Sequence, residues 1–204
     1  RVASEPNALA VADQPDKMGL VGQQPARLSF SDLDIASTAL ALQLLDRGTG
    51  PGSRIMVQLP NIVELVVCFY AVSKLGAIIS PLPVQYGAHE ITQLSRTLGT
   101  TLFIGCPVFK GQQLIQTAKN ALPRLPVLAI GEDLDCLATS VSQEDARTLA
   151  TYTRSLNDPA NRILTVCWTS GTTGTPKGVP RSANMWLATA RATAEAGGCL
   201  LYTS

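Results

Sequence analysis

Residues 168–182 read WTSGTTGTPKGVPRS, and this stretch follows directly on the apolar segment 163–167. It contains two adjacent pairs of hydroxyl residues, three glycines and one lysine. Glycine admits backbone conformations closed to other residues, so that amide N–H groups can approach an anion, and serine and threonine hydroxyls add donors beside them. Lys177 supplies a full positive charge. The stretch is therefore predicted to be a phosphate-binding loop.

A flexible Gly/Ser/Thr linker is the alternative interpretation, because linkers often have this composition. The position argues against a linker, since the stretch follows an apolar run directly and precedes an amphipathic segment. The stretch also departs from the hydrolytic P-loop pattern G-x-x-x-x-G-K-S/T, because Pro176 precedes Lys177 and Gly178 follows it. We therefore expect a phosphate loop of a different kind.

Upstream of this loop, short apolar segments alternate with segments of helical periodicity. Strands are predicted at 54–59, 77–82, 101–104, 126–130 and 162–168, and helices from 31 to about 48 and at 62–75, 88–98 and 111–122. Residues 140–159 are polar and predict a surface excursion with one weak helix. The alternation predicts an α/β fold with a largely parallel sheet flanked by helices on both faces.

The start of the chain and the helix starts give more local predictions. Residues 1–27 have no sustained hydrophobic period, so a loop with one strand at 18–22 is expected. Ser31 is expected to cap the helix that follows it. Asn61 is expected to cap the helix 62–75, with Glu64 reaching back to complete a reciprocal cap. That helix is apolar nearly all round, which places it in the interior.

Composition and charge exclude several classes of partner. The 204 residues are 46% hydrophobic and carry a formal net charge of +1 without basic runs, so no nucleic-acid surface is expected. In the most apolar region, 62–82, Glu64 and Lys74 leave uncharged pieces too short for a membrane span of ~20 residues. Five cysteines are widely spaced, and four of them lie in apolar or helical contexts typical of buried free thiols, which predicts a reducing, cytoplasmic location. The one histidine, His89, is expected at the surface, and no metal site is predicted.

Residues 169–178, TSGTTGTPKG, resemble the phosphate-binding signature of the adenylate-forming (AMP-binding) superfamily, which includes acyl-CoA synthetases, adenylation domains and luciferases. KLGAIISPL at 74–82 resembles the family's K-x-G-A-x-x-x-P-L element, and LSFSDL at 28–33 resembles its early helix-entry element. The resemblance covers residues 1–198. It implies a truncated N-terminal domain of the acyl-CoA synthetase-like fold, with the family's small C-terminal domain and its catalytic lysine outside this chain.

A second set of residues narrows the resemblance to one branch. VQLPN at 57–61, together with 180–182 (PRS) and Asn184, is most similar to aryl-acid adenylating enzymes and related acid-CoA ligases. That branch usually has a histidine where this sequence has Ala183.

The resemblance implies a reaction in two steps. A carboxylic acid and ATP, with Mg²⁺, give an acyl-adenylate and pyrophosphate, and a thiol then takes the acyl group. The leading interpretation is an AMP-forming acid-CoA ligase that uses coenzyme A. One alternative is an aryl-acid adenylating enzyme that loads the phosphopantetheine thiol of an acyl or aryl carrier protein in siderophore biosynthesis. Another is a non-catalytic phosphate-binding or interaction domain of the same fold.

The resemblance also assigns roles within the loop. The implied pyrophosphate-binding residues are the hydroxyl or backbone donors Thr169, Ser170, Thr172 and Thr173, the permissive Gly171 and Gly174, and Lys177 as the mobile catalytic cation. Trp168 and Trp186, which flank the loop, are expected to pack rather than to touch nucleotide. Arg181 is left open between a phosphate contact and a solvated side chain.

Both ends of the sequence are expected to be cut. It begins at Arg1 without methionine, and residues 199–204, CLLYTS, match one reading frame of a common sequencing-library adapter. We expect a sequencing scar there and exclude those six residues from the fold prediction.

Overall fold

Five parallel strands form the centre of the molecule, and helices connect most of them. The computed structural model describes residues 2–169 and 176–197. In chain order the elements are β1 (Leu9–Ala12), α1 (Lys17–Val21), β2 (Arg27–Ser29), α2 (Phe30–Leu45), β3 (Arg54–Gln58), α3 (Val63–Lys74), β4 (Ile78–Pro81), α4 (Ala88–Leu98), β5 (Leu102–Gly105), β6 (Val108–Phe109), β7 (Gln112–Gln113), α5 (Leu114–Ala121), β8 (Val127–Ala129), α6 (Gln143–Ser155), β9 (Ile163–Thr169), β10 (Lys177–Ser182) and α7 (Ala183–Ala196).

The main sheet has the strand order β10-β9-β4-β3-β5-β8. The strands from β9 to β8 run parallel, and β10 runs antiparallel to β9. Side chains alternate between the two faces of a strand, so Ile55 and Val57 of β3 pack on the α2, α3 and α6 side, while Met56 packs with α4 and α5. The predicted α/β fold, with a largely parallel sheet covered on both faces, is confirmed.

The interior position predicted for α3 is confirmed for most of the helix. Val67, Cys68, Ala71 and Val72 are fully buried, whereas Tyr70 is 53% exposed.

The helix α3 is fastened to α2 at its last residue, Lys74. The Nζ atom of Lys74 donates to Asp34 Oδ1 at 2.8 Å, Ser37 Oγ at 2.9 Å and Thr38 Oγ1 at 2.7 Å. The first residue of the KLGAIISPL element therefore has a packing role between two helices.

The strand predicted at 18–22 is wrong, because residues 17–21 form the short helix α1. Gly22 ends this helix in the left-handed conformation, with φ at 73°, and donates its N–H to Met18 O. A short apolar run does not distinguish a strand from a helical turn by periodicity. The antiparallel pair β1 and β2, which brackets α1, was not predicted.

The helix α2 begins earlier than predicted. Ser29, rather than Ser31, is the N-cap: its Oγ accepts the N–H of Asp32, and the Asp32 carboxylate accepts from both the N–H and the Oγ of Ser29. The pKa of Asp32 is lowered mainly by the hydrogen bond from the Ser29 hydroxyl and, to a smaller extent, by the hydrogen bond from the Ser29 backbone N–H.

The reciprocal cap predicted for α3 at Asn61 and Glu64 is also wrong. The N-cap is Ile62, whose side chain cannot accept a hydrogen bond. The N–H of Val63, which has no partner within the helix, donates to Asp13 Oδ1 at 2.8 Å. Glu64 turns into the interior, where its Oε1 lies 2.6 Å from Lys17 Nζ. The cap comes from a residue 50 positions away, which local sequence patterns do not reveal.

Candidate phosphate-binding site

The candidate site is the closed end of the hairpin formed by β9 and β10. Thr169 and Lys177 are paired in register at this end, and Thr169 Oγ1 donates to Lys177 O at 3.3 Å. Both residues are exposed. The hairpin thus brings together the first and last of the predicted phosphate-binding residues. Ser170, Gly171, Thr172, Thr173 and Gly174 lie outside the described residues, and their roles stay predictions.

The hairpin ends at the edge of the sheet where parallel α/β proteins bind ligands. β9 runs parallel to β4, so its last residue, Thr169, lies at the carboxyl edge of the parallel strands. The strand predicted at 162–168 is thus observed as β9, and the candidate loop follows its carboxyl end. The return strand β10 was not predicted, because Gly178 and Pro180 are poor strand formers. Proline is tolerated in β10 because this strand lies at the sheet edge.

Trp168 packs tightly across the hairpin onto Gly178. The two residues are paired in register, and a Cβ atom at Gly178 would lie 3.3 Å from Trp168 Cζ3 and 2.9 Å from Val166 Cγ1. The indole Nε1 of Trp168 donates to Ser80 Oγ at 2.9 Å. Packing, which was the favoured interpretation of this tryptophan, is therefore observed.

The second tryptophan lies nearer the other end of the hairpin. Trp186 Nε1 donates to Thr165 Oγ1 at 2.9 Å, and the guanidinium of Arg181 lies 4.8 Å from the centre of the Trp186 ring. A cation over an aromatic face is an attractive contact. Arg181, left open by the sequence, therefore has a packing partner on α7.

A cleft of about 710 Å³ opens beside Trp168. Its walls include residues 59–61 after β3, the last residue of β4 with the four that follow it (81–85), and Cys167 and Trp168 of β9. Asp16 and Lys110 bring one charge of each sign to its lining. The cleft is thus formed largely where three neighbouring parallel strands end, next to the candidate loop.

Gln58, at the end of β3, holds the wall that follows β4. Its Nε2 donates to Pro83 O at 3.1 Å and to Tyr86 O at 2.8 Å, and the residue is fully buried. The sequence contains this glutamine within VQLPN, but its task depends on backbone carbonyls 25 and 28 residues away. Sequence reasoning did not identify it.

Two of the buried thiols, Cys106 and Cys136, have raised pKa values. Burial raises the pKa of Cys106 to about 11. The pKa of Cys136 is raised well above its ordinary value, mainly by a hydrogen bond with Cys68 and secondly by burial. Both thiols are therefore neutral near pH 7 and unreactive. Within the described residues Cys68, Cys106, Cys136 and Cys167 are free thiols, and Cys199 lies outside the described residues.

The described part of the chain has neither a cluster of metal-binding side chains nor a membrane-spanning helix. Residues 2–169 and 176–197 contain no group of three or more His, Cys, Asp or Glu side chains that could hold a metal ion. His89 is exposed on α4, in agreement with its predicted surface position. None of the helices within the described residues has the length and apolar character needed to cross a membrane.

Comparison with known proteins gives a consistent result. A family model described as AMP-binding enzyme matches residues 7–201. The medium-chain fatty-acid–CoA ligase of Escherichia coli is 33% identical over 184 residues, which cover 87% of this chain and 32% of that protein. Syringomycin synthase SyrB1 of Pseudomonas syringae pv. syringae is 34% identical over 155 residues, which cover 74% of this chain and 22% of that protein. The chain spans about a third or less of the length of these curated relatives.

Solved structures show the same fold at lower identity. A long-chain-fatty-acid–CoA ligase (FadD1) from Archaeoglobus fulgidus superposes with a TM-score of 0.74 at 19% identity, covering 97% of this chain and 38% of that one.

Proposed function

This chain belongs to the AMP-binding enzyme family, and we propose that the protein activates a carboxylic acid as an acyl-adenylate and transfers the acyl group to coenzyme A. The observation that carries the proposal is the hairpin that pairs Thr169 with Lys177 at the carboxyl edge of the sheet. Between these residues runs the sequence SGTTGTP, which is rich in hydroxyl donors and glycine.

The first step makes the acyl-adenylate. A carboxylate oxygen attacks the α-phosphorus of ATP, the bond from that phosphorus to the bridging oxygen breaks, and pyrophosphate leaves with the electron pair. Negative charge therefore grows on the leaving group. In the second step the thiol sulfur attacks the acyl carbon and loses its proton, and AMP leaves. The proposed task of residues 169–177 is to stabilise the charge that grows in the first step.

Lys177 is suited to this task by its surroundings. It is exposed, and none of the ion pairs within the described residues uses it. Its backbone carbonyl accepts the hydrogen bond from Thr169 across the hairpin. Because the side chain is exposed, its charged end is available to an anion. Ser170, Thr172 and Thr173 would add hydroxyl or amide donors, and Gly171 and Gly174 would let the backbone approach the phosphates.

Mg²⁺ fits the proposal as a companion of ATP rather than as an ion held in a protein cage. Mg²⁺ commonly enters phosphate-transfer sites through substrate phosphates and water, with few protein ligands. When bound, it would neutralise phosphate charge. The residues proposed to hold the nucleotide beside it are Thr169 and Lys177.

A second candidate function differs in the acceptor thiol. The identity to syringomycin synthase SyrB1, 34%, is as high as the 33% identity to the medium-chain fatty-acid–CoA ligase, so identity alone does not favour a CoA ligase over a synthase. The alternative is an aryl-acid adenylating enzyme that loads a carrier protein in siderophore biosynthesis. Both candidates share the first step.

The test is acid-dependent exchange of labelled pyrophosphate into ATP by the parent protein, with a panel of aryl, cyclic and medium-chain acids. Exchange with at least one acid is expected. Acceptor transfer is then measured with coenzyme A and with a phosphopantetheinylated carrier protein, which separates the two candidates. A folded protein that exchanges with no acid would support the non-catalytic alternative and refute both enzyme functions.

A further inference from the structure

We propose that Ser80 is a positioning residue that holds the Thr169–Lys177 pair, at the two ends of the candidate loop, in place through the side chain of Trp168. This inference rests on the proposed function, which assigns phosphate binding to residues 169–177. Ser80 touches no substrate in this proposal. It acts on the strand that carries the loop.

The hydroxyl of Ser80 joins two neighbouring parallel strands at the point where their pairing ends. The register between β4 and β9 consists of one pair, Ile79 with Thr165. One residue further along, Ser80 Oγ donates to Val166 O at 2.9 Å and accepts from Trp168 Nε1 at 2.9 Å. The side chain thus supplies hydrogen bonds beyond the registered pair. Ser80 is fully buried, so water does not compete for these bonds.

Trp168 transmits this restraint to the loop. It immediately precedes Thr169, and its ring lies against the backbone of Gly178, the residue after Lys177. The Trp168 indole therefore links β9, which leads into the loop, to β10, which follows it. Because β10 is the last strand of its sheet, its position relative to the core depends on β9. We infer a continuous set of contacts from Ser80 through Trp168 to the Thr169–Lys177 pair.

The same strand contains a chemically matched control. Trp186 Nε1 also donates to a buried hydroxyl, Thr165 Oγ1, at the same distance of 2.9 Å. Thr165 pairs with Arg181 near the open end of the hairpin, whereas Trp168 pairs with Gly178 near the loop. Loss of either indole N–H removes one hydrogen bond from β9. Only the loss at Trp168 is expected to disturb the loop.

The test compares Trp168→Phe with Trp186→Phe in the parent protein. Phenylalanine keeps an aromatic ring but removes the N–H donor. Dissociation constants of inorganic pyrophosphate and of MgATP are measured by titration calorimetry, and thermal unfolding is measured without ligand. We expect similar, small losses of Tm in both variants. Trp168→Phe should raise the pyrophosphate Kd between about twofold and tenfold, the range of one net hydrogen bond, while Trp186→Phe leaves it unchanged.

A double-mutant comparison tests whether Ser80 acts through Trp168. Ser80→Ala should weaken pyrophosphate binding, and adding Trp168→Phe to it should cost little more, because the bond is already broken. The fluorescence of Trp168 is measured separately on the 204-residue chain, which has two tryptophans, so that Trp186→Phe in this chain leaves Trp168 as its one tryptophan. Ser80→Ala in that background should shift its emission maximum.

The outcomes separate this inference from the proposed function. If the unmodified parent binds neither pyrophosphate nor MgATP, the proposed function fails and the inference fails with it. If the parent binds them, equal pyrophosphate affinity in Trp168→Phe and Trp186→Phe overturns the role of Ser80 alone. Additive losses in the Ser80→Ala/Trp168→Phe double variant would also overturn it. Should Ser80→Ala fail to fold, the comparison of the two phenylalanine variants still decides the question.

Discussion

Position 178 requires glycine because the space beside its backbone is limited, and not because its backbone conformation is unusual. This glycine has no positive φ, yet a Cβ atom there would meet Val166 Cγ1 at 2.9 Å and Trp168 Cζ3 at 3.3 Å. A separation of 2.9 Å requires the Val166 side chain or the strands that carry it to shift, and the Trp168 ring must give way as well. The glycine that ends TSGTTGTPKG is thus explained by two side chains of β9, Val166 and Trp168, which leave no room for a Cβ atom.

Gly178→Ala should lower the free energy of unfolding by about 1–3 kcal/mol, the usual cost of overpacking. Gly19→Ala is the matched control, because Gly19 is exposed in α1 and a Cβ atom added there would have no neighbouring atom within 4 Å. Alanine there should be neutral or slightly stabilising. Urea denaturation of both variants measures the difference, and equal stabilities would refute the steric explanation.

Lys177→Ala in the parent protein should slow adenylation by roughly 100-fold, because a donor aimed at developing charge is lost. Thioester formation from preformed acyl-adenylate should change much less, since pyrophosphate has already left. Single-turnover kinetics of each half-reaction measure the two effects, with Lys119→Ala, an exposed lysine on α5, as the control. Equal losses in both half-reactions would mean that Lys177 has a structural role.

At the scale of elements, α2 and α3 begin in different ways. The start of α2 is capped locally by Ser29 and Asp32. The start of α3 is capped from the segment that joins β1 to α1: Asp13 accepts the N–H of Val63, and Lys17 pairs with both Asp13 and Glu64. The N-terminal segment is therefore tied to the core by buried charges rather than by apolar packing alone.

The cap of α2 predicts a dependence of stability on pH. The pKa of Asp32 is lowered in the folded chain, so its contribution is present above the ordinary value of about 4 and is lost as pH falls through the lower, folded value. Asp32→Asn should therefore destabilise the chain at pH 7, by less than about 1 kcal/mol because the site is exposed. Denaturation series at pH 7 and pH 3 should show the gap narrowing in acid, and a constant gap would contradict this cause.

The buried charges at the start of α3 predict a larger effect. Lys17 is fully buried and lies 2.7 Å from Asp13 Oδ2 and 2.6 Å from Glu64 Oε1. Lys17→Ala would leave two buried carboxylates without a cation, at a cost of about 3–5 kcal/mol. Lys119→Ala, on the surface, should change stability by less than about 0.5 kcal/mol. Chemical denaturation at neutral pH compares the two, and similar losses would show that the buried pairs contribute little.

At the scale of the whole molecule, one apolar face has no cover within the described residues. The helix α7 has no buried residue, and Met185, Trp186 and Leu187 are 51%, 38% and 54% exposed. Trp186 and Leu187, with Tyr70 and Leu164, border a groove of about 600 Å³. Ala183, where the related branch usually has histidine, lines the same groove.

We predict that the 204-residue chain by itself binds ATP more weakly than the parent and forms no acyl-adenylate. The physical reason is that this chain spans about a third of the CoA ligase it matches, so other nucleotide contacts are expected elsewhere. Equilibrium binding of MgATP and a chromatographic assay for acyl-adenylate measure both. Acyl-adenylate made by the purified chain would contradict the prediction.

The order and type of most central elements, and the position of the candidate loop, could be predicted from the sequence. The helix α4 was predicted with its observed bounds, and β3, β4, β5, β8 and β9 were predicted within a few residues. Apolar runs and helical periods are properties of neighbouring residues, and for this reason they can be read along the chain.

Tertiary structure decided what holds those elements and the loop entrance in place. The cap from Asp13, the pairing of Lys17 with Glu64, the antiparallel return of β10 and the bond from Trp168 to Ser80 all join separate segments of the chain. Their partners are chosen by packing around the sheet, because a buried polar group must find a hydrogen bond wherever the fold places one. The pattern of neighbouring residues along the chain does not indicate which distant partner a polar group will have.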